Sequence, residues 1–392
     1  MKNQILAGLT IMTLMFAGCS RDEVSSINES DANSIGFELS TGKTRADVVD
    51  LGVLQRDADG FGVFATNGSS SATFIDNKAY KYEGDTWKWA ELNMLWPTQK
   101  TGFPVNFYAY YPLSKTALTK SLTADYRVEE TPENQVDYLA ANQVGVADKP
   151  ISRSVLLTFR HILSKIDFMI VTGSKVTVEV QSITIRNVGN SGTFNHAILA
   201  WTTPPYIWNS SFSYMTAPLK AANTFAGQTS AKAVTGSSGS LMLMPQNLSG
   251  RPWNKESLLS LASLSYIEVV YRVYETDSGT DVIGFTDASE HEDYAGGVTG
   301  PLFVKVGYPL PTDWLMGKAY AYTIHIGDGS SGGNLIEENF IDENGNVTDL
   351  IVVYPETGEP IEPPGPIFPE NDVIGFVVNT ENWGVQEENP LQ

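Results

Sequence analysis

Short stretches in which apolar and polar residues alternate recur along the whole chain. Alternation with a period of two places one side of a strand in a core and the other towards water. The clearest stretches lie at 35–39, 105–109, 176–180, 267–273 and 320–326. Turn-forming sequences such as Glu83-Gly84-Asp85 and Asp277-Ser278-Gly279 separate them. The pattern predicts a mostly β fold, with two antiparallel β-sandwich domains in tandem.

Three further segments carry secondary-structure predictions. In residues 156–168 the alternation changes phase once, which predicts a single strand with a bulge. Residues 282–286 follow the Asp277-Ser278-Gly279 turn and are expected to form a hairpin with residues 266–274. Helical spacing is sparse, and residues 255–264 are the one stretch expected to form a short helix.

The N-terminus has the pattern of a secretory signal. Lys2 precedes an apolar run over residues 5–16, and Ala17-Gly18 stand before Cys19, the only cysteine. The run is too short to cross a bilayer as a helix. The small residues before Cys19 resemble the bacterial lipoprotein box, in which the cysteine is acylated. Residues 20–23 resemble the surface-export signal of Bacteroidota lipoproteins, which implies an exposed position on the outer membrane.

The remaining chain divides into four parts by composition. We expect a tether over 19–34, an N-terminal β-sandwich over 35–152, and a C-terminal β-sandwich over 153–353. The boundary is placed in the polar stretch 147–154. Residues 354–392 contain a proline-rich spacer, with six prolines between 354 and 370, followed by an apolar strand at 373–378.

Composition and charge exclude several classes of protein. The chain has 392 residues, of which 42% are hydrophobic, so a large core can form. Its net charge of −20 disfavours binding to nucleic acid and to membranes through basic patches. A single cysteine excludes a disulfide framework, and four scattered histidines give no spacing for a metal site. We expect no cofactor and no metal.

No motif predicts an enzyme. Gly329-Ser330-Ser331-Gly332-Gly333 fits the spacing of a nucleophile elbow, but no histidine follows His325 to act as the base. The polar loop 342–349 has Val347 where a calcium loop needs glycine. Both segments are therefore interpreted as loops.

A group of aromatic residues suggests a second kind of surface. Trp201, Tyr206 and Trp208 lie close together with prolines and an asparagine. Such rings can stack on sugars, and they can equally belong to an ordinary core. A glycan contact and a packing role both stay open for these three residues.

Several sequence strings, in order along the chain, resemble the fimbrillin family of pilin-like surface lipoproteins of Bacteroidales. They span about residues 35–384 and are Phe74-Ile-Asp-Asn77, Trp96-Pro97, Val105-Asn-Phe-Tyr-Ala-Tyr-Tyr-Pro112, Gln135-Val-Asp-Tyr-Leu139, Leu157-Thr-Phe-Arg-His-Ile-Leu-Ser-Lys-Ile-Asp-Phe168, Leu243-Met-Pro-Gln246, Gly317-Lys-Ala-Tyr-Ala-Tyr-Thr-Ile324 and Trp383-Gly384. The resemblance implies transthyretin-like sandwiches.

The same resemblance implies assembly by strand exchange. An arginine-specific protease would cut at Arg45, with Arg56 as a second choice, and remove the first strand with Ile35, Phe37 and Leu39. The C-terminal strand of another subunit, with Ile374, Phe376 and Val378, would fill the groove. The alternative is that this last strand completes the sheet of its own subunit.

These observations together predict a fimbrial subunit or a fimbria-associated adhesin, not an enzyme. Its partners would be other fimbrial subunits of the same or another kind, surface ligands of host or bacteria, and the outer membrane through the lipid on Cys19. The competing hypothesis is a glycan-binding surface lipoprotein that never polymerises.

Overall fold

A computed structural model describes most of the chain. The described residues are 33–41, 51–68, 71–115, 117–202, 210–215, 223–236, 239–248, 265–279, 304–310, 313–326, 334–336, 351–354 and 375–382. Within them, no helix is long and apolar enough to cross a bilayer.

In its described residues, the first part of the chain forms eight strands and one short α-helix. They are β1 (Gly36–Thr41), α1 (Leu51–Arg56), β2 (Phe61–Asn67), β3 (Ala72–Glu83), β4 (Thr86–Trp89), β5 (Val105–Tyr111), β6 (Thr123–Arg127), β7 (Leu139–Val146) and β8 (Ser154–His161). The turn between β3 and β4 has positive φ at Gly84 (61°) and Asp85 (62°). This is the backbone of a tight hairpin turn and explains the Gly-Asp sequence there.

Seven of these strands make one sheet, in the order β1-β8-β7-β5-β2-β3-β4. The sheet curls so that its two edges approach each other, because Ser34, just before β1, forms a β-bridge with Leu95, beyond β4. The remaining strand, β6, belongs to a separate small sheet.

The second part of the chain adds fourteen strands in the described residues. They are β9 (Ser164–Thr172), β10 (Val176–Val188), β11 (Ser191–Asn195), β12 (Ala200–Trp201), β13 (Ser210–Met215), β14 (Thr224–Ala226), β15 (Lys232–Ala233), β16 (Leu241–Leu243), β17 (Tyr266–Glu275), β18 (Val304–Pro309), β19 (Lys318–Ile326), β20 (Asn334–Ile336), β21 (Ile351–Tyr354) and β22 (Gly375–Asn382).

These strands form three more sheets. One is built on β13-β10-β17-β18-β21-β20, a second on β15-β9-β19-β22, and β12-β11-β6 make a third. The prediction of a mostly β fold is confirmed, and the described strands form several sheets. The pairing is not wholly antiparallel, since β1 with β8, β9 with β19 and β18 with β21 are parallel.

Two hydrophobic cores lie within the described residues, and β5 contributes to both. Phe107 and Ala109 pack in the core on one face of the first sheet. Tyr108 and Tyr110, on the opposite face, pack with residues of the second part of the chain. The expectation that 105–109 has one side in water is therefore wrong, because another layer covers that side.

The predicted single strand over 156–168 is also wrong. The chain forms β8 and β9 on either side of Ile162 and Leu163, and the two strands belong to different sheets. The change of phase in the alternation thus marks the place where the chain passes from one sheet to another. Since β8 pairs with β1 and β7, we propose moving the domain boundary from 152/153 to these two residues.

Other segment predictions lie outside the described residues. They are the helix over 255–264, the hairpin partner 282–286 and the proline-rich spacer. The last strand is described from Gly375 to Asn382 and is longer at its C-terminal end than the predicted 373–378.

Candidate strand-exchange site

The strand β1 lies at one edge of the seven-stranded sheet. It pairs in parallel with β8, from Gly36 opposite Ser154 to Thr41 opposite Phe159. An edge strand can leave a sheet when one row of backbone hydrogen bonds breaks. The position of β1 therefore meets the first geometric requirement for an exchangeable strand.

The residues just before and at the start of β1 are held by the loop that follows β4 and by the loop that precedes β8. The backbone N–H of Ile35 donates to Met94 O at 2.7 Å, and that of Trp96 donates to Asn33 O at 3.0 Å. The Asn33 side chain accepts a hydrogen bond from Lys149 Nζ at 2.9 Å. These contacts fix where the strand enters the sheet.

The side chains of β1 fill the first core. Phe37 is 1% exposed and Ile35 is equally buried, while Leu39 is 6% exposed. The Phe37 ring meets four other rings edge-on, at centroid distances of 5.0 to 6.4 Å: Tyr80, Phe107, Trp89 and Phe61. Edge-to-face aromatic pairs at this spacing stabilise a core beyond simple burial. Phe37 is the central contact between β1 and the sandwich.

Polar groups of the surrounding core bind the backbone at and just before the start of β1. Trp89 Nε1 donates to Ile35 O at 2.8 Å. The backbone N–H of Phe37 donates to Tyr80 Oη at 3.4 Å, and Tyr80 Oη donates to Trp87 O at 3.3 Å. Burial raises the pKa of Tyr80 to about 12, so the phenol keeps its proton at neutral pH. Another strand on the same backbone path would receive the same bonds.

The last strand, β22, lies at the edge of a different sheet. It pairs antiparallel with β19, from Gly375 opposite His325 to Asn382 opposite Lys318. Phe376 lies opposite Ile324 and Val378 opposite Tyr322. Ile324 and Tyr322 are fully buried, and directly opposed residues share a face of a sheet. In this register, β22 extends the sheet of its own chain beside the buried strand β19.

The structure brings together only part of the predicted exchange site. Ile35, Phe37 and Leu39 share the first core, whereas Phe376 and Val378 stand in the sheet of β9 and β19. The other predicted residues, Cys19, Arg45, Ile374, Tyr206 and Trp208, lie outside the described residues.

The second-choice cleavage residue, Arg56, occupies the last turn of α1 and is exposed. Two residues earlier, Leu54 is fully buried in the first core. Proteases prefer exposed, extended loops. Arg56 thus lies in a helix and not in an extended loop, and cleavage at Arg45 or Arg56 stays a prediction.

Trp201 is half-buried and packs in the second core. Its indole N–H donates to Ile162 O at 2.8 Å, and its ring packs against Phe194 and Tyr126 at 5.1 and 5.8 Å. These contacts give Trp201 a structural role at the passage between sheets. A glycan contact through Trp201 stays a prediction.

The histidines of the described residues are dispersed. His196 is fully buried, and its Nε2 lies 2.9 Å from Tyr126 Oη. Burial lowers the pKa of His196 to about 3. His161 Nδ1 lies 2.7 Å from Asp137 Oδ2, and burial raises the pKa of Asp137. No three potential metal ligands come together in the part of the chain that the structure describes.

Sequence reasoning missed a similarity between the first and last strands. The sequence Ile35-Gly36-Phe37, in which Gly36 begins β1, is repeated as Ile374-Gly375-Phe376, in which Gly375 begins β22. The next residue on the same face is Leu39 in one strand and Val378 in the other. The signal was a short internal repeat, separated by more than three hundred residues.

Comparison with known proteins identifies the family. Fimbrium subunit Fim1C of Phocaeicola vulgatus is 28% identical over 115 residues, which cover 26% of this chain and 29% of that relative. The crystal structure of a fimbrial protein from Bacteroides vulgatus ATCC 8482 has the same fold, with a TM-score of 0.56 at 14% identity, covering 90% of this chain and 99% of the other. The model of the fimbrillin-like family matches residues 44–348, well over half of the chain. The chain therefore belongs to the fimbrillin-like family.

Proposed function

We propose that this protein is a fimbrial subunit, lipidated at Cys19, that polymerises by strand exchange on the cell surface. Cleavage at Arg45 releases β1, and the C-terminal strand of another subunit takes its place. The observation that carries the proposal is the repeated Ile-Gly-Phe in the two edge strands, one of which fills an aromatic core.

Loss of β1 would leave a groove that needs a new occupant. The backbone of β8 would be unpaired along six residues. The rings of Phe61, Tyr80 and Phe107 would lose the aromatic side chain between them. Unpaired strand edges and exposed apolar walls both favour the addition of a strand.

The last strand has the side chains that this groove requires. Superposing the two repeats places Ile374 at the position of Ile35 and Phe376 at that of Phe37. Val378 would replace Leu39, a loss of one methylene. Cores tolerate apolar substitutions that nearly conserve volume. The proposed register therefore keeps the central aromatic contacts of the groove.

The donor must leave its own sheet before it can be exchanged. Among the described strands, β22 pairs only with β19, at the edge of its sheet. The segment 355–374, rich in proline, precedes it. Twenty residues in polyproline II conformation would reach about 60 Å. Such a segment can deliver the strand to a neighbouring subunit.

A digestion experiment with paired variants tests the proposal. The chain from residue 20 is treated with an arginine-specific protease and followed by mild-detergent electrophoresis. We expect cleavage at Arg45 followed by ladders of multimers, and no ladder for R45A. F376S should remove the ladder because the donor loses its central ring. V377S changes the neighbouring position, which is on the opposite face of β22, and should keep it.

Two results would count against strand exchange. One is a ladder of normal strength from F376S, and the other is a cleaved chain that stays monomeric. Because β22 pairs with β19 of its own chain, the unfolding midpoint of uncut F376S is measured alongside. A mixture of cleaved F376S with cleaved wild-type chain separates loss of the donor ring from loss of monomer stability. If the F376S monomer is still folded, its groove accepts the last strand of a wild-type chain.

The proposed location follows from the same features. The acyl chains on Cys19 would hold the uncleaved subunit at the outer membrane, and the polymer would project from the surface as a fimbrium. Other fimbrial subunits, of this or a related kind, are the partners. Surface ligands of host or bacterial cells would be bound by the assembled fimbrium.

A further inference from the structure

The backbone groups of β1 point alternately to the two sides of the strand. Gly36 N–H donates to Arg153 O at 3.2 Å, on the side of β8. Ile35 N–H donates to Met94 O at 2.7 Å, on the opposite side. The N–H and C=O of one strand residue point the same way, and the direction reverses at the next residue. Ile35 and Phe37 therefore turn their backbone groups away from β8.

Two aromatic side chains bind these outward groups. Trp89 Nε1, from β4, donates to Ile35 O at 2.8 Å. Tyr80 Oη, from β3, accepts a hydrogen bond from Phe37 N–H at 3.4 Å. The first distance is that of an ordinary hydrogen bond, and the second is longer. We call Trp89 and Tyr80 the β1 clamp.

Packing fixes the direction of both polar groups of the β1 clamp. Tyr80 is 2% exposed and Trp89 is 5% exposed. The two residues lie opposite each other in β3 and β4, with their rings edge-on at 5.1 Å. Both rings also contact the ring of Phe37, at 5.0 and 5.7 Å. The indole N–H of Trp89 is thus a buried donor that needs an acceptor in one place.

The β1 clamp distinguishes a one-residue slip of the bound strand from a two-residue slip. A strand displaced by one residue along β8 turns the carbonyl at Trp89 towards β8 and leaves the indole N–H without an acceptor. The slipped register should be at least about fivefold less populated for this reason. A two-residue slip restores the backbone pattern, so only the fit of the side chains opposes it.

The hydrophobic pattern of the last strand sets its phase only weakly. In β1 the apolar residues occupy one face, because polar residues alternate with them after Phe37. The last strand begins Val373-Ile374-Gly375-Phe376-Val377-Val378, which is apolar on both faces. A slip that puts Gly375 at the position of Phe37 would still place two valines in the groove. Alternation between the two faces specifies register, and it is weak here.

We propose that Trp89 and Tyr80 select the phase in which a strand enters the groove left by β1, with Trp89 as the main determinant. The inference rests on the proposed strand exchange and assigns residues of the accepting subunit that specify the register of the donor. In the selected register, Ile374 O accepts the hydrogen bond of Trp89, and Phe376 N–H donates to Tyr80. The ring of Phe376 then meets the same aromatic side chains as Phe37.

Disulfide formation between two cleaved chains tests the proposal. Thr158 of β8 lies opposite Ser40 of β1, at the spacing of about 4.8 Å between neighbouring strands, which suits a disulfide. The accepting chain begins at residue 20, so that T158C is its only cysteine. Uncut S40C/T158C is the positive control for the geometry and should form an internal disulfide.

The donor chains carry one cysteine each at three positions of the last strand. N379C opposes position 158 in the proposed register, V378C after a one-residue slip and E381C after a two-residue slip. Each donor chain is mixed with the accepting chain after cleavage by the arginine-specific protease. Mass spectrometry then measures the yield of the disulfide-linked peptides.

We expect N379C to give the main product with the wild-type groove. W89F in the accepting chain should lower the ratio of the N379C product to the V378C product at least about fivefold, and change the ratio to the E381C product by less than about twofold. W96F is the matched control and should leave both ratios unchanged. Trp96 is also buried in the first core, and its Nε1 has no hydrogen-bond partner within the described residues.

Each other outcome overturns the proposal for a different reason. Equal ratios in the wild-type and W89F grooves would show that the indole N–H does not select the phase. An equal rise of the V378C and E381C products would mean that W89F only loosens the groove. The same change in W96F would assign the effect to ring packing. If the internal disulfide of S40C/T158C forms and no product appears between chains, strand exchange itself is wrong, and the inference with it.

Discussion

Truncation of Phe37 to alanine is the most direct test of how β1 is held. The side chain is 1% exposed, and its ring lies between four other aromatic rings of the first core. F37A removes the ring but leaves the hydrogen bonds of the β1 backbone unchanged. The experiment therefore isolates the contribution of the core contact from that of the sheet.

The expected loss is large because the site cannot collapse. Replacement of a buried phenylalanine by alanine costs about 3–5 kcal/mol, including the cavity that remains. The rings around Phe37 are held from several strands, including β2, β3 and β5. We expect about 4 kcal/mol, which at a urea dependence of about 2 kcal/mol per molar shifts the unfolding midpoint by roughly 2 M.

Tryptophan fluorescence during urea unfolding of the mature chain reports on this core. Trp87, Trp89 and Trp96 are all buried in it. The matched control is L156A on the adjacent strand β8, where the side chain is 50% exposed. An exposed site of this kind changes stability by about 0.5 kcal/mol or less.

A midpoint shift for F37A below about 0.5 M would refute the reasoning. It would mean that β1 is held mainly by its backbone pairing with β8 and that the aromatic core is stable without it. In that case the ring of a donor strand would add little, and the match between Phe37 and Phe376 would lose its meaning. A midpoint shift of equal size in L156A would indicate that any substitution near this edge of the sheet lowers stability, and not the loss of the buried ring in particular.

Two further predictions concern the second core. Burial lowers the pKa of His196 from 6.5 to about 3, so the folded state resists protonation of this imidazole. The contribution of neutral His196 to the free energy of unfolding is fully present above pH 6.5. It falls as the pH drops towards 3, by up to about 1.4 kcal/mol per pH unit. H196F should not show this pH-dependent loss of stability, which is measured as the difference between the urea midpoints at pH 7 and pH 4. An equal difference in H196F and the wild-type protein would contradict the prediction. Y322F leaves the buried N–H of Trp314, which donates to Tyr322 Oη at 2.7 Å, without its acceptor. We expect a loss of about 1–3 kcal/mol in thermal or urea unfolding, and an unchanged midpoint would show that Trp314 finds another acceptor.

Alternation along single strands was readable from the sequence because it depends on neighbouring residues alone. The strands at 35–39, 105–109, 176–180, 267–273 and 320–326 all formed. The exposure of their second faces was not readable. Tyr108 and Tyr110 are buried because another layer packs over β5, and no local pattern encodes that layer.

The candidate site shows the same division. The sequence identified Ile35, Phe37 and Leu39 as one apolar face, and the structure places all three in the first core. It did not reveal that β1 is parallel to β8, since pairing between distant segments depends on the whole topology. It also left open where the last strand lies, and the structure pairs that strand with β19.

By itself the sequence determined the β character of the chain, the residues that face a core within each strand, and the resemblance to fimbrillins. These depend on side-chain period and on short motifs, which are local. Only the tertiary structure decided that the phase change near Ile162 is a passage between two sheets and that β1 closes an aromatic core. Such features depend on which distant strands share hydrogen bonds. The free energy that favours one pairing over another comes from apolar burial summed over the whole fold.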